Sequence, residues 1–173
     1  STLDDPGDRK IIGNNTPRYS FGFKPNASWK GFDLDVFLQG VMKRDQWIST
    51  RYFLTQYTGE WYAYPKFGLD YWSEENRDAY FPRPLVGGGT EVVQTQTRFL
   101  QNAAYLRVKE ITLGYTIPAL VSKNVGIDRV RVYFSGHNLC EFTKMMEVSD
   151  PELGGSHMYP IYRSYSFGVN INF

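Results

Sequence analysis

The side chains able to do chemistry are few, and their spacing completes no reactive group. Asp33 and Asp35 stand two apart, which puts both carboxylates on one face of a strand. Paired carboxylates serve acid–base catalysis or cation binding, but no base, acid or further ligand accompanies these two, and a hydrated wall accounts for them better. His137 and His157 lack the spacing of a zinc site. Asp150-Pro151-Glu152 followed by Gly154-Gly155 has the composition of a calcium loop without its regular third and fourth oxygen donors, so a flexible loop is the better reading. Gly87-Gly88-Gly89 lacks the lysine and following helix of a phosphate cradle. Cys140 is the single cysteine, which excludes a disulfide framework; a passive side chain at a strand end is expected. No Ser/His/Asp arrangement is discernible. No enzyme, metal or cofactor is expected, and a net charge of +1 offers no case for nucleic acid.

Aromatic side chains carry the signal instead. They make up 17% of the chain although the hydrophobic fraction is only 42%, and mean hydropathy is −0.43. Many aromatics on a polar chain suit a transmembrane barrel, with its apolar outer face, aromatic girdles and wet lumen; a glycan-binding β-sandwich has the same bias. Close to half of them fall in residues 43–104, including Trp47, Trp61, Tyr62 and Trp72. These rings either order a long loop by packing together or contact a substrate or a covering partner. A short helix capped by Ser73 is expected over Tyr71 to Arg77.

The elements that must position these residues are strands. From Tyr159 to Phe173, Ile161, Tyr165, Phe167, Val169, Ile171 and Phe173 occupy odd positions with Ser, Gly and Asn between them, broken by Arg163. Period-two alternation over such a length exceeds the usual soluble strand of about 5–6 residues and fits a tilted membrane strand of about 9–11. Around Lys30-Gly31 a two-residue turn sets Trp29 opposite Phe32, Ala27 opposite Leu34 and Phe23 opposite Leu38, all on one face. Lys24, Asp33, Asp35 and Gln39 fall on the other, with a bulge expected at Pro25. Ile111, Leu113, Tyr115 and Ile117 alternate on the parity opposite to Leu106 and Val108, which predicts a β-bulge near Lys109-Glu110. Val130, Val132 and Phe134 then alternate with Arg131, Tyr133 and His137.

The predicted strands are thus about 17–29, 32–42, 105–117, 129–138 and 159–173, antiparallel and all-β. Short turns alternate with the long segments 43–104 and 139–158, as periplasmic turns alternate with extracellular loops in an up-and-down barrel. No apolar run reaches the roughly 18 residues of a membrane helix, and the first residues carry no signal peptide. Strands this few cannot close in lipid, so the rest of the barrel must come from elsewhere.

Six segments, in order, resemble SusC/RagA-type TonB-dependent transporters. They are Gly7-Asp8-Arg9-Lys10-Ile11-Ile12-Gly13-Asn14, Lys30-Gly31-Phe32-Asp33-Leu34, Tyr71-Trp72-Ser73-Glu74-Glu75-Asn76, Tyr105 through Tyr115, Val130 through Leu139, and Tyr165 through Phe173. His137 stands where the family usually has Gln. The resemblance implies the last strands of a barrel of about 22, in the bacterial outer membrane of Bacteroidetes. It further implies an N-terminal plug and TonB-contacting segment outside this chain, and a SusD-like surface lipoprotein as lid. Oligosaccharides or peptides would be the cargo, and Phe173 part of the assembly signal. The other reading of the residues is a soluble β-rich carbohydrate-binding or adhesin module. Strand length and a one-sided apolar face discriminate the two.

Overall fold

The computed structural model describes residues 9–48, 57–58, 65–86, 94–118, 126–147, 149–154 and 159–173. Numbered along the chain, its strands are β1 (Tyr19–Phe23), β2 (Asn26–Trp29), β3 (Phe32–Met42), β4 (Asp45–Trp47), β5 (Tyr57–Thr58), β6 (Leu85–Val86), β7 (Leu100–Asn102), β8 (Tyr105–Thr116), β9 (Arg129–Thr143) and β10 (Ser164–Asn172). Two compact units emerge, a sheet unit (18–43, 104–143, 160–173) and a loop unit (1–17, 44–103, 144–159).

The sheet unit is a single antiparallel sheet in the order β1-β3-β8-β9-β10, with β2 also paired to β3. The hairpin register matches the expected one: Trp29 faces Phe32, Ala27 faces Leu34 and Phe23 faces Leu38. The turn between them is left-handed at both residues, with φ of 47° at Lys30 and 88° at Gly31. This is the backbone that matches strand twist in a two-residue hairpin.

Pro25 behaves differently from expectation. The register runs from Phe23–Leu38 to Asn26–Asp35 with no inserted residue, so there is no bulge. Pro25 accepts from the Val36 N–H at 3.0 Å and, having no N–H, only fails to return that bond. The ladder is interrupted, and one predicted strand is divided into β1 and β2.

The bulge near Lys109 is present and deepens across the sheet. One step on β3, from Phe37 to Leu38, matches two on β8, from Glu110 to Val108, and three on β9, from His137 to Cys140. Asn138 lies inside it with φ of 53°. β9 therefore continues to Thr143 instead of ending near residue 138, and Cys140 lies within the strand rather than at its end. Asn138 and Leu139 invert the apolar–polar pattern, so the alternation in the sequence ends before the strand does. β10 pairs with β9 only as far as His137, so it begins at Ser164 and not at 159.

The loop unit has its own core. Ile48, Phe81, Phe99, Ala103 and Met145 are buried together, with Trp47, Phe67, Tyr80 and Met146 packed against them. β4 pairs with β7, and β5 runs parallel to β6. The segment expected to be a helix is a turn. Ser73 and Asn76 exchange backbone hydrogen bonds, each of 3.2 Å, and the Asn76 N–H also donates to Ser73 Oγ at 3.0 Å. Ser73 is a capping residue by chemistry, and here it closes a turn instead of opening a helix.

Candidate functional site

The sheet unit has two unlike faces, and the register says which residues share each. Phe32, Tyr115 and Val132 lie in one row, Leu34, Leu113, Phe134 and Phe167 in the next, and Val36, Ile111, Gly136 and Tyr165 in a third. Beyond the bulge, Leu38 meets Val108, and Leu106 meets Phe142, so the parity change in the sequence keeps this face apolar. The face is also open. Leu113 is 48% exposed, Phe134 47% and Phe167 73%. An apolar surface of this extent on strands of 9 to 15 residues is not one that water tolerates on a soluble monomer.

The opposite face is polar. Arg131 donates from Nε to Asp33 Oδ1 at 3.0 Å, and a second contact, Nη2 to Oδ2, completes the forked pair. The two side chains meet over Gly114, where an added Cβ would lie 2.6 Å from Asp33 Oδ1. The Arg131 guanidinium also lies 5.1 Å from the Tyr133 ring centre, and Tyr133 covers Gly168 in the same way. Two glycines thus let long side chains lie flat along the wall. Asp35 shares a row with Thr112 and Ser135, and His137 with Glu110 and Ser164. Gln39 sits beside Arg107. Lys24 is exposed, two residues before Asn26.

Arg107 and Glu141 form a second ion pair on this face, which sequence reasoning missed. By simple alternation Arg107 would share the face of Ile111 and Leu113. The inserted residue at the bulge turns it over, and the switch of Leu106 and Val108 to the other parity was the signal that could have found it.

Gly114→Ala should separate Asp33 from Arg131. In a double-mutant cycle, the coupling between these two, about 0.5–1 kcal/mol for a partly exposed pair, is expected to vanish in the Gly114→Ala background. Unchanged coupling would show that the pair does not depend on the bare backbone beneath it.

The loop unit holds the aromatic candidates. Trp47 is half-buried, 6.1 Å from Phe99 between ring centres, so packing accounts for it. Phe81 lies 4.9 Å from Tyr80, edge to face, and 6.1 Å from Phe99 and Phe67. Asp70 ties the segment shut: Oδ2 accepts the Tyr80 N–H at 3.1 Å, Oδ1 accepts from Asn76 at 3.1 Å, and its carbonyl accepts the Phe81 N–H at 3.0 Å. Arg98 donates to the carbonyls of Ala79 and Tyr80 at 2.6 and 2.9 Å. Burial pushes the Tyr80 phenol up, against the opposing hydrogen bond from Gln101 and the charge of Arg98. Trp72 stands out of this core at 40% exposure, beside Tyr71 and Leu69. Trp61, Tyr62, His157 and the Gly87-Gly88-Gly89 run lie outside the described residues. Phe173 is exposed and follows the last residue of β10. No group of three or more metal-ligating side chains occurs among the described residues.

Membrane-length antiparallel strands, apolar and open on one face and ion-paired on the other, define the wall of an outer-membrane β-barrel. The chain is 28% identical over 181 residues to TonB-dependent receptor P3 of Formosa agariphila, covering 96% of this chain and 17% of that one. It is 25% identical to TonB-dependent receptor P26 of the same organism, covering 96% and 18%. Among solved structures it resembles the RagAB peptide transporter, with 30% identity, a TM-score of 0.74, and coverage of 94% of this chain and 18% of that one. The RagAB peptide importer in its "open-open" state gives 29% identity and a TM-score of 0.70. No family model matches the chain. Over nearly its whole length the chain is similar to outer-membrane TonB-dependent receptors and to the RagAB peptide transporter, and it spans less than a fifth of the length of these relatives.

Proposed function

We propose that the chain forms part of the wall and outer loops of a TonB-dependent importer that takes up oligosaccharides or peptides together with a SusD-like lipoprotein. The observation that carries this reading is the open apolar face on membrane-length strands. In a soluble carbohydrate-binding or adhesin module that face would be covered by a second sheet. The description of the similar solved structures as a peptide transporter favours peptide over glycan as cargo.

On this reading Lys24, Asp33, Asp35, Gln39, Arg131, Tyr133 and His137 line the lumen, and residues 43–104 lie outside the cell. Phe81 and Phe99 hold the loop in shape, which leaves Trp72 free to touch cargo or lid. Tyr71 and Trp72 are held in place by backbone pairing: Tyr71 bridges to Phe81, and the Trp72 N–H donates to the Phe81 carbonyl at 2.8 Å.

Trp72→Ala in the full-length protein is expected to weaken cargo or lid binding by at least about 1 kcal/mol, roughly fivefold. Binding and uptake of labelled oligopeptides and oligosaccharides, with lipoprotein co-purification, would measure it. The barrel should remain heat-modifiable and membrane-inserted. Normal uptake and lid binding would assign Trp72 to the scaffold.

A further inference from the structure

Both ends of β3 are marked by a lysine in a backbone conformation that lysine rarely adopts. Lys30 has φ of 47° and Lys43 has φ of 50°; the one other non-glycine residue with positive φ among those described is Asn138, in the bulge. Left-handed backbone costs a lysine more than it costs asparagine or glycine, and although the two-residue turn requires it at Lys30, the choice of lysine at both ends asks for a reason.

The side chains supply one. Simple alternation would send Lys30 to the face opposite Trp29, and Lys43 to the face opposite Met42. Instead the Lys30 ammonium lies 4.9 Å from the Trp29 ring centre, and that of Lys43 lies 5.9 Å from the Tyr19 ring centre. Trp29 and Tyr19 both belong to the open apolar face, at 69% and 54% exposure. Each left-handed residue therefore brings a cation round to the rim of that face and seats it on an aromatic ring.

The separation of the two caps fits a bilayer. Tyr19 and Trp29 are ten residues apart, roughly 33 Å along a strand. At a tilt of about 40° that is roughly 25 Å along the membrane normal, the height of the apolar band of an outer-membrane barrel. Between the caps this face of β1, β2 and β3 carries Phe21, Phe23, Ala27, Leu34, Val36 and Leu38 and no charged side chain, Asp33 and Asp35 lying on the other face. A lysine over an amphipathic ring at each edge of an uncharged band is a surface for lipid whose headgroups are anionic.

We infer that Lys30 and Lys43 bind the headgroup phosphates of anionic membrane lipid at the two faces of the bilayer, and so fix the depth at which the β1–β3 wall sits. The inference rests on the membrane reading above and adds an electrostatic anchor to it. Lys30 at the short turn would meet glycerophospholipid, and Lys43 at the loop end the phosphates of the outer leaflet. The occupant at both ends is the phosphate of a net anionic lipid headgroup.

Lys30→Asn and Lys43→Asn separate charge from backbone, because asparagine accepts positive φ. The full-length protein would be folded into vesicles of phosphatidylcholine alone and of phosphatidylcholine with phosphatidylglycerol, and its urea unfolding followed. In the mixed vesicles each variant should lose about fivefold in the folded-to-unfolded ratio relative to the parent, while in phosphatidylcholine the variants and parent unfold alike. If the variants keep the whole phosphatidylglycerol increment, or lose equally in both lipids, the lysines do not bind anionic headgroups and the proposal fails. If inorganic phosphate added to phosphatidylcholine vesicles reproduces the increment, the lysines bind a free anion and the proposal also fails. A parent protein that enters neither vesicle overturns the membrane reading itself, and this inference with it.

Discussion

Arginine placed at Val36 or Val169 of the full-length protein is expected to cost about 2–4 kcal/mol of barrel stability if these positions lie near the bilayer midplane. Both belong to the open apolar face: Val36 pairs with Ile111 and Val169 with Val132. A guanidinium there must sit in hydrocarbon or drag water in with it. Residues a short step away on the same strands should be tolerant. Asp33→Asn weakens only a partly exposed ion pair, which costs no more than about 1 kcal/mol. Ser166→Arg points a cation to the polar face beside Ser135. Urea unfolding in vesicles, or the amount of assembled barrel in membranes, would measure all four. Equal sensitivity at Val36 and Asp33, or at Val169 and Ser166, would contradict the assignment of the faces.

A second large effect belongs to the loop unit. Phe81 is fully buried and its ring meets those of Phe67, Tyr80 and Phe99. Its backbone also accepts from Trp72 and donates to Asp70. Phe81→Ala removes the ring at the centre of this small core and should cost about 3–5 kcal/mol of the unit's local stability. A core this small has little to spare, so the loops should become open to protease while the sheet stays heat-modifiable. Protease resistance equal to the parent would mean that the aromatic cluster does not hold the loops.

Much of the sheet was legible because its physics is local. A face that must be apolar over many residues writes itself as strict alternation, and a two-residue turn fixes register by arithmetic, as Trp29 and Phe32 show. The bulge near Lys109 was legible for the same reason, since Leu106 and Val108 change parity. Its growth across β9 was not, because Asn138 and Leu139 interrupt the pattern that would have carried the strand to Thr143. Pro25 misled in the other direction: proline forbids a donor, not a position, and the register passed through it unchanged.

The sites were less legible. Asp33 and Asp35 looked like a pair along one strand, yet Asp33 pairs across the sheet with Arg131, a partner that only topology supplies. Ser73 has the chemistry of a helix cap, but Asp70 and Asn76 close a turn around it. Among the loop aromatics, composition could not separate Trp47, packed on Phe99, from Trp72, which stands exposed; that depends on long-range contacts.

The most direct test is a nitroxide scan along β10 in the full-length protein, reconstituted in vesicles with Cys140 and every other native cysteine replaced by Ser. Collision rates with oxygen and with a water-soluble nickel chelate would be read at each position from Tyr165 to Asn172. Tyr165, Phe167, Val169 and Ile171 should report lipid, and Ser166, Gly168, Asn170 and Asn172 a polar, chelate-accessible wall, alternating at period two. Uniform access to the chelate at all eight positions, or alternation in the opposite phase, would contradict the claim that this sheet is the wall of an outer-membrane barrel with its apolar face in lipid.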